Sequence, residues 1–164
     1  MFIAILEDNA ERTNAMRTAL LDRFHQYEIV FFTSADKMLA WIPQNLRETI
    51  VISLDHDLET PAGLDSNQYD PGTGRQVSDL LTSFSPQCPV LVHSTNLDAA
   101  AGMVWSLQEA GWKTLRVVPY DDLLWVTETW FPAIRSAILS QAVPVVGQSI
   151  ENDVSSQTAF PRGA

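Results

Sequence analysis

The sequence is poor in basic residues and nearly free of cysteine, and both shortages exclude classes of protein. Lys and Arg account for 10 of its 164 residues, Asp and Glu for 20, and the formal net charge is −10. A surface of this charge repels phosphate backbones and anionic lipids, so we expect no duplex nucleic-acid partner and no membrane partner. The single cysteine, Cys88, excludes an intramolecular disulfide and a Cys-rich zinc module.

Long apolar runs and targeting features are also missing. No run approaches the ~18–20 apolar residues that a membrane span needs. The N-terminal segment MFIAILEDNAER has no basic region and turns acidic at its seventh residue, so it is not a signal peptide and we expect a cytoplasmic protein.

Length and composition predict one globular domain with a tail. The hydrophobic share of 46% is ordinary for a globular chain. The periodic pattern predicts a domain over residues 1–140. Residues 141–164 lose that pattern and are rich in Gln, Ser, Asn and Pro, which predicts a disordered tail. The alternative for the tail is an element that docks on a protein partner.

Short apolar runs alternate with segments of helical period along the whole domain. The predicted strands are Met1–Leu6, Glu28–Phe32, Thr49–Leu54, Pro89–Val92 and Lys113–Val118. Helices are predicted after them, capped or begun near Asn9, Ser34, Gly74, Asn96 and Leu123. Because each parallel crossover needs a helix, this alternation predicts an α/β fold with a doubly wound, five-stranded parallel sheet.

Polar side chains follow three of these strands at the point where each strand ends. Residues 7–8 (ED) follow the first strand, residues 55–57 (DHD) the third and residues 93–96 (HSTN) the fourth. In doubly wound sheets, ligands bind beyond the carboxyl ends of the strands, where the strand order switches. The three stretches are therefore predicted to form one crevice.

Four acidic residues of this crevice, Glu7, Asp8, Asp55 and Asp57, predict a cation site. Like charges held close together raise one another's pKa unless a cation neutralises them. A divalent ion with oxygen ligands, Mg²⁺ or Mn²⁺, is the natural partner, and we expect Glu7, Asp8 and Asp55 to hold it. The alternative, above all for Asp8 and Asp57, is the capping of a helix N-terminus.

At these positions the chain resembles the receiver domain of response regulators. ILEDN at 5–9 is similar to the acidic pair after the first strand of a receiver, and Leu54-Asp55 to the phosphoacceptor position after the third. Ser94 stands where receivers carry Thr or Ser, and Pro119 matches the proline that follows their fifth-strand lysine. The resemblance implies a flavodoxin-like or receiver-like fold with strand order 2-1-3-4-5.

Three motifs are more similar to a particular receiver-like family, the one named for predicted cyclic-phosphate processing. They are LDHDL at 54–58, GTGR at 72–75 and VLVHSTN at 90–96. The resemblance covers about residues 2–140. It implies chemistry on a cyclic nucleotide or a cyclic phosphate end in place of phosphotransfer, that is, a metal-assisted cyclic phosphodiesterase whose partner is a phosphate-containing small molecule or nucleotide.

Two histidines, His56 and His93, are candidates for proton transfer in such a reaction. An imidazole donates or accepts a proton near neutral pH. Opening a cyclic phosphate needs a base that activates water and an acid that protonates the leaving oxygen. Asp55 and Asp57 are the further catalytic candidates beside the two histidines. In the alternatives, one histidine completes the metal shell, or His93 merely hydrogen-bonds a neighbouring loop.

Five further residues are candidates for phosphate binding. Ser94, Thr95 and Asn96 precede a helix, so their hydroxyl and N–H groups could receive a phosphate oxygen. Gly74 allows close backbone approach to an anion, and Arg75 could clamp it. The alternatives are simple N-capping for residues 94–96 and a solvated helical arginine at Arg75.

Two other functions fit the same residues. In one, the chain is a receiver that is phosphorylated on Asp55; in the other, it is a catalytically inert pseudo-receiver that binds a protein partner. Val118 argues against phosphorylation because it replaces the lysine that, in receivers, bridges the acceptor carboxylate and the phosphoryl oxygens. The histidines at two strand ends argue against an inert module.

Overall fold

The strands of this computed structural model, which describes residues 1–60, 69–120 and 122–142, form one parallel sheet. The order is β2-β1-β3-β4-β5, which confirms the doubly wound, receiver-like topology. The strands are β1 (Phe2–Leu6), β2 (Glu28–Phe32), β3 (Thr49–Leu54), β4 (Val90–His93) and β5 (Thr114–Val117).

The helices cover both faces of this sheet. They are α1 (Ala10–Phe24), α2 (Ala35–Asn45), α3 (Gly74–Leu81), α4 (Leu97–Glu109) and α5 (Phe131–Ala142). Asn9 caps α1 as predicted, whereas the hydroxyl of Ser34 donates to Asp36 and makes no cap bond to α2. Pro43 lies inside α2, which nevertheless continues to Asn45 and passes into a 3₁₀ turn.

Two apolar layers explain why the strands are continuous hydrophobic runs. In β1, Ala4 and Leu6 pack against the α2, α3 and α4 side, while Ile3 and Ile5 pack against α1 and the C-terminal helices. All four side chains are fully buried. A strand covered on both faces has no polar alternation, and the charged residues Glu7 and Asp55 that follow β1 and β3 therefore mark the ends of these strands.

The C-terminal helix has an irregular beginning. The pattern predicts one amphipathic helix over about Leu123–Leu139, interrupted or restarted near Pro132. The interruption lies just before that proline, where a π-helical segment, Val126–Trp130, leads directly into α5. Such wide turns are rare and are often found at functional sites, and this one ends at Trp130, whose indole N–H reaches Ser53 of β3.

Two segments lie outside the described residues. They are residues 61–68, between β3 and α3, and residues 143–164, which make up most of the predicted tail. Within the described ranges, no helix is both long and apolar enough to cross a bilayer.

Candidate functional site

The register of the three central strands brings their terminal polar residues together. Leu6 pairs with Leu54, and Leu54 pairs with Val92, so the next residues, Glu7, Asp55 and His93, follow in adjacent positions. Their ligand atoms all lie within 4.8 Å of one another, and all three residues are buried.

A chain of buried hydrogen bonds, here called the buried relay, supports Glu7 from below. It consists of Trp130, Ser53, His93 and Glu7. The indole N–H of Trp130, which can only donate, donates to Ser53 Oγ at 3.0 Å. Ser53 Oγ is hydrogen-bonded to His93 Nδ1 at 2.9 Å, and His93 Nε2–H donates at 3.3 Å to the Glu7 carboxylate, which can only accept. The imidazole therefore carries a proton on Nε2.

His93 has no exposed surface. Its ring stacks on Trp125 with centroids 5.8 Å apart and an interplanar angle of 27°, and its two nitrogens are engaged by Ser53 and Glu7. His93 therefore meets the crevice through the carboxylate of Glu7.

The crowded carboxylates have opposite pKa shifts. Burial raises the pKa of Asp55 to about 6; the charge of Glu7 adds to this, while His93, the backbone N–H of His56 and Arg12 oppose it. Burial also acts to raise the pKa of Glu7, but the hydrogen bond and charge of His93, together with the Asn9 N–H and Arg12, bring it below its usual value.

The raised pKa of Asp55 predicts that this residue destabilises the metal-free protein in a pH-dependent way. Between pH 3.8 and about pH 6 the folded protein binds more protons than the unfolded chain, so Asp55 lowers the free energy of unfolding as the pH rises through that window. Asp55→Asn removes this term. In urea denaturation with a chelator, the stability of the variant relative to the wild type should rise from pH 4 to pH 6 and then level off. A difference that stays constant over this range would contradict the shift.

A cavity of about 530 Å³ opens above these residues. The described residues that line it include four acids and one cation. The acids are Asp8, Asp55, Asp57 and Glu59, and the cation is Arg12. Asp8 accepts a short hydrogen bond of 2.6 Å from the Glu59 N–H, which ties the start of the polar loop to the end of β1. Burial raises the pKa of Asp8 despite that bond.

His56 and Asp57 form a hydrogen-bonded dyad directly after β3. The Nδ1–H of His56 donates to Asp57 Oδ1 at 2.7 Å, which leaves Nε2 as the nitrogen that can exchange a proton. The side chain is 16% exposed. The imidazole is not among the described residues that line the cavity, although both of its chain neighbours are.

Residues 94–96 divide into capping and cavity-facing roles. The Asn96 side chain accepts from Ala99 N at 3.2 Å and caps α4. Ser94 is buried, and its Oγ accepts from Asn96 N at 3.1 Å. Thr95 is exposed and lines the cavity.

Gly74 and Arg75 are engaged by the protein itself. A Cβ on Gly74 would lie 1.9 Å from the Asp55 carbonyl oxygen. The backbone N–H of Gly74 donates to the carbonyl oxygen of His56 at 3.0 Å. The glycine therefore serves close packing of α3 on the end of β3. Arg75 Nε donates to Asp79 at 2.8 Å and Nη2 to Ser106 at 3.2 Å, between α3 and α4. The structure does not bring Arg75 to the cavity lining.

Arg12 is a site residue that the sequence analysis missed. It is the third residue of α1, and its Nη1 lies 3.3 Å from Asp55 Oδ2 and 3.8 Å from Glu7 Oε1. Its guanidinium lies 6.0 Å from the centre of the Trp125 ring. The available signal was the Asn9 cap, because a helix that starts directly after β1 places its first turn over the strand ends.

Comparisons with known proteins agree with this fold. A crystal structure of a response regulator receiver domain from Rhodospirillum rubrum has a TM-score of 0.58 at 16% identity, covering 88% of this chain and 96% of that chain. The phosphorylated cyanobacterial phytochrome response regulator RcpA has a TM-score of 0.64 at 19% identity, with coverages of 87% and 96%. The Mn²⁺-bound form of response regulator Rcp1 has a TM-score of 0.56 at 17% identity, with coverages of 91% and 99%.

The sequence comparisons are more specific. The sequence model of the cyclic-phosphate processing receiver domain matches residues 3–109. No curated protein matches the sequence significantly. The matched range includes the polar ends of β1, β3 and β4 and the first turn of α1.

Proposed function

Because the chain belongs to the cyclic-phosphate processing receiver domain family, we propose that its crevice binds a divalent metal and processes a cyclic nucleotide or a cyclic phosphate end. The observation that carries this proposal is the pair Glu7 and Asp55, two buried carboxylates brought together beneath an open cavity. A buried pair of like charges is costly, and a bound cation removes most of that cost.

The donor set of the crevice fits a hard divalent ion. Glu7 and Asp55 offer buried oxygens and Asp8 a third from the cavity rim, which suits Mg²⁺ or Mn²⁺. When bound, such an ion would polarise phosphoryl oxygens and neutralise developing charge. His93 orients Glu7 from below, as hydrogen-bonded neighbours of metal ligands commonly do.

Proton transfer is assigned to the dyad of His56 and Asp57. Asp57 holds the Nδ1–H, so Nε2 is the nitrogen that takes a proton from water or returns one to the departing alkoxide. Thr95, the exposed member of residues 94–96, is the hydroxyl donor for a phosphate oxygen at the far rim of the cavity. His93 acts through Glu7 because it has no surface of its own.

Metal binding predicts a stability gain that depends on the two buried carboxylates. A ligand at about a hundred times its dissociation constant adds about 2.7 kcal/mol to the free energy of unfolding. Mg²⁺ or Mn²⁺ should therefore raise the Tm of the wild type, and Glu7→Gln should lose most of that rise. Asp79→Asn, an exposed acid on α3, is the matched control and should respond like the wild type. A wild-type Tm that is unchanged by either metal would remove the metal from the proposal.

The function itself is tested with a panel of 2′,3′- and 3′,5′-cyclic nucleotides and RNA with cyclic phosphate ends, each with Mg²⁺ or Mn²⁺. Ring opening or saturable binding of at least one class is expected. If none binds or reacts, the inert pseudo-receiver is the better account. Intact-mass measurement after incubation with a small-molecule phosphodonor tests the other alternative: a stoichiometric phosphoryl group that is lost in Asp55→Asn would favour a signalling receiver.

A further inference from the structure

The charge of the cavity raises a question about how it holds an anion. Four carboxylates line it among the described residues, and the whole chain carries a formal charge of −10. A phosphate ester entering this cavity would be repelled unless cations face it. A divalent ion on Glu7 and Asp55 would offset those two carboxylates, so a second cation directed at the phosphate is needed.

Arg12 has the position and the geometry for that task. Its side chain is 31% exposed and lines the cavity, while its Nη1 is held between Asp55 and Glu7. The Trp125 ring supports the guanidinium from one side. A guanidinium has five N–H donors in a planar fork that matches two phosphate oxygens. The contacts of Arg12 to these two acids use Nη1 alone, so donors remain for a ligand.

We propose that Arg12, on α1, is the phosphate-binding cation of this crevice. It takes the place of the fifth-strand lysine of receivers, which precedes the proline that Pro119 matches. The inference rests on the proposed function, because it names the residue that recognises the phosphate. Val118, at the corresponding position of the chain, is apolar and 44% exposed.

The same geometry gives Arg12 a second role in the metal-free protein. There the guanidinium is the counter-ion of Asp55 and Glu7, at 3.3 and 3.8 Å. A divalent ion bound to those carboxylates repels the guanidinium at this range, which directs it toward the cavity and the phosphate. Arg12 thus competes with the metal and assists the anion, and its removal should change the two affinities in opposite directions.

The test compares Arg12→Gln and Arg12→Lys with the wild type and with Arg75→Gln, a matched control whose guanidinium is bound between α3 and α4. Binding of Mg²⁺ is measured first by calorimetry. Binding of inorganic phosphate and of 3′,5′-cyclic AMP is then measured with the protein saturated in Mg²⁺. Circular dichroism confirms that each variant is folded under these conditions.

Arg12→Gln should weaken phosphate and cyclic AMP binding by about tenfold to a hundredfold, and Arg12→Lys should fall between it and the wild type, because a lysine keeps the charge but loses the fork. Mg²⁺ should bind Arg12→Gln as tightly as the wild type or more tightly. Equal phosphate affinity in Arg12→Gln, or a loss of Mg²⁺ affinity that accompanies the loss of phosphate, would show a merely structural arginine and overturn the inference. A wild type that binds neither probe would overturn the inference, whereas the proposed function fails only if no member of the cyclic-phosphate panel binds or reacts.

Discussion

Replacement of His93 by alanine is expected to lower the free energy of unfolding by about 3–5 kcal/mol in the metal-free protein at neutral pH. Glu7 and His93 are both fully buried, and His93 Nε2 is the side-chain donor to Glu7 Oε2. The hydrogen bond and charge of His93 lower the pKa of Glu7 against the effect of burial. Without the imidazole, Glu7 is a buried charge with one supporting group fewer, and the Ser53 hydroxyl loses its hydrogen-bond partner on His93.

Urea denaturation followed by circular dichroism measures this effect. His93→Gln, which keeps a donor near Glu7, should cost less than His93→Ala and keeps the test usable if the alanine variant does not fold. The double variant Glu7→Gln, His93→Ala should be less destabilised than the sum of the two single variants, since the unpaired carboxylate is gone. Strict additivity of the two changes would contradict the relay as described.

Loss of His56 should reduce turnover of a cyclic phosphate by about a hundredfold or more. A positioned proton donor or acceptor is worth ~10²–10⁴-fold, and the Nδ1–H bond to Asp57, which lines the cavity, holds this imidazole in one tautomer. His56→Ala should therefore lower kcat strongly, and Asp57→Asn should lower it less because the imidazole remains. The side chain is partly exposed, so the fold should be little affected.

His25 is the matched control for this measurement. It is an exposed histidine at the C-terminal end of α1, the opposite end of that helix from Arg12 and the crevice, and His25→Ala should leave turnover unchanged. Rates are measured on whichever cyclic phosphate proves to be a substrate, with Mg²⁺ present throughout. Full activity of His56→Ala would contradict the assignment of proton transfer to this dyad and leave the chemistry to groups other than the histidines.

The fold was predictable because its signal is local and repeated. The central strands β1, β3 and β4 are short apolar runs buried on both faces, and the residues that follow β1 and β3 are charged, so Leu6 and Leu54 mark the strand ends directly in the sequence. The convergence of Glu7, Asp55 and His93 followed from the rule that parallel strands present their carboxyl ends at one edge. The π-helical beginning of the last helix did not follow, because such a turn has no clear sequence signature.

The roles within the crevice were less predictable than its position. The sequence predicted that His56 and His93 face one phosphate, yet the structure buries His93 beneath Glu7 and leaves His56 at the surface. Ser53 and Trp130 are part of the hydrogen-bond chain that holds His93 in this buried position. In the sequence they look like ordinary core residues, and they lie 77 positions apart. Arg12 and Arg75 each follow a helix start by only a few residues, and no local rule distinguishes the one that faces the crevice.

The buried relay also constrains how the chain folds during synthesis. Glu7 and His93 are 86 positions apart, so at ~5–20 residues per second a ribosome needs roughly 4–17 s after making Glu7 before its imidazole exists. Trp130, which lies 77 positions after its partner Ser53, is made later still than His93. Until these partners have been synthesised, the Glu7 carboxylate must stay hydrated. The end of β1 therefore cannot yet be buried in the sheet. Closure of the sheet at this edge is therefore a late event, governed by contacts distant in sequence rather than by the early helices.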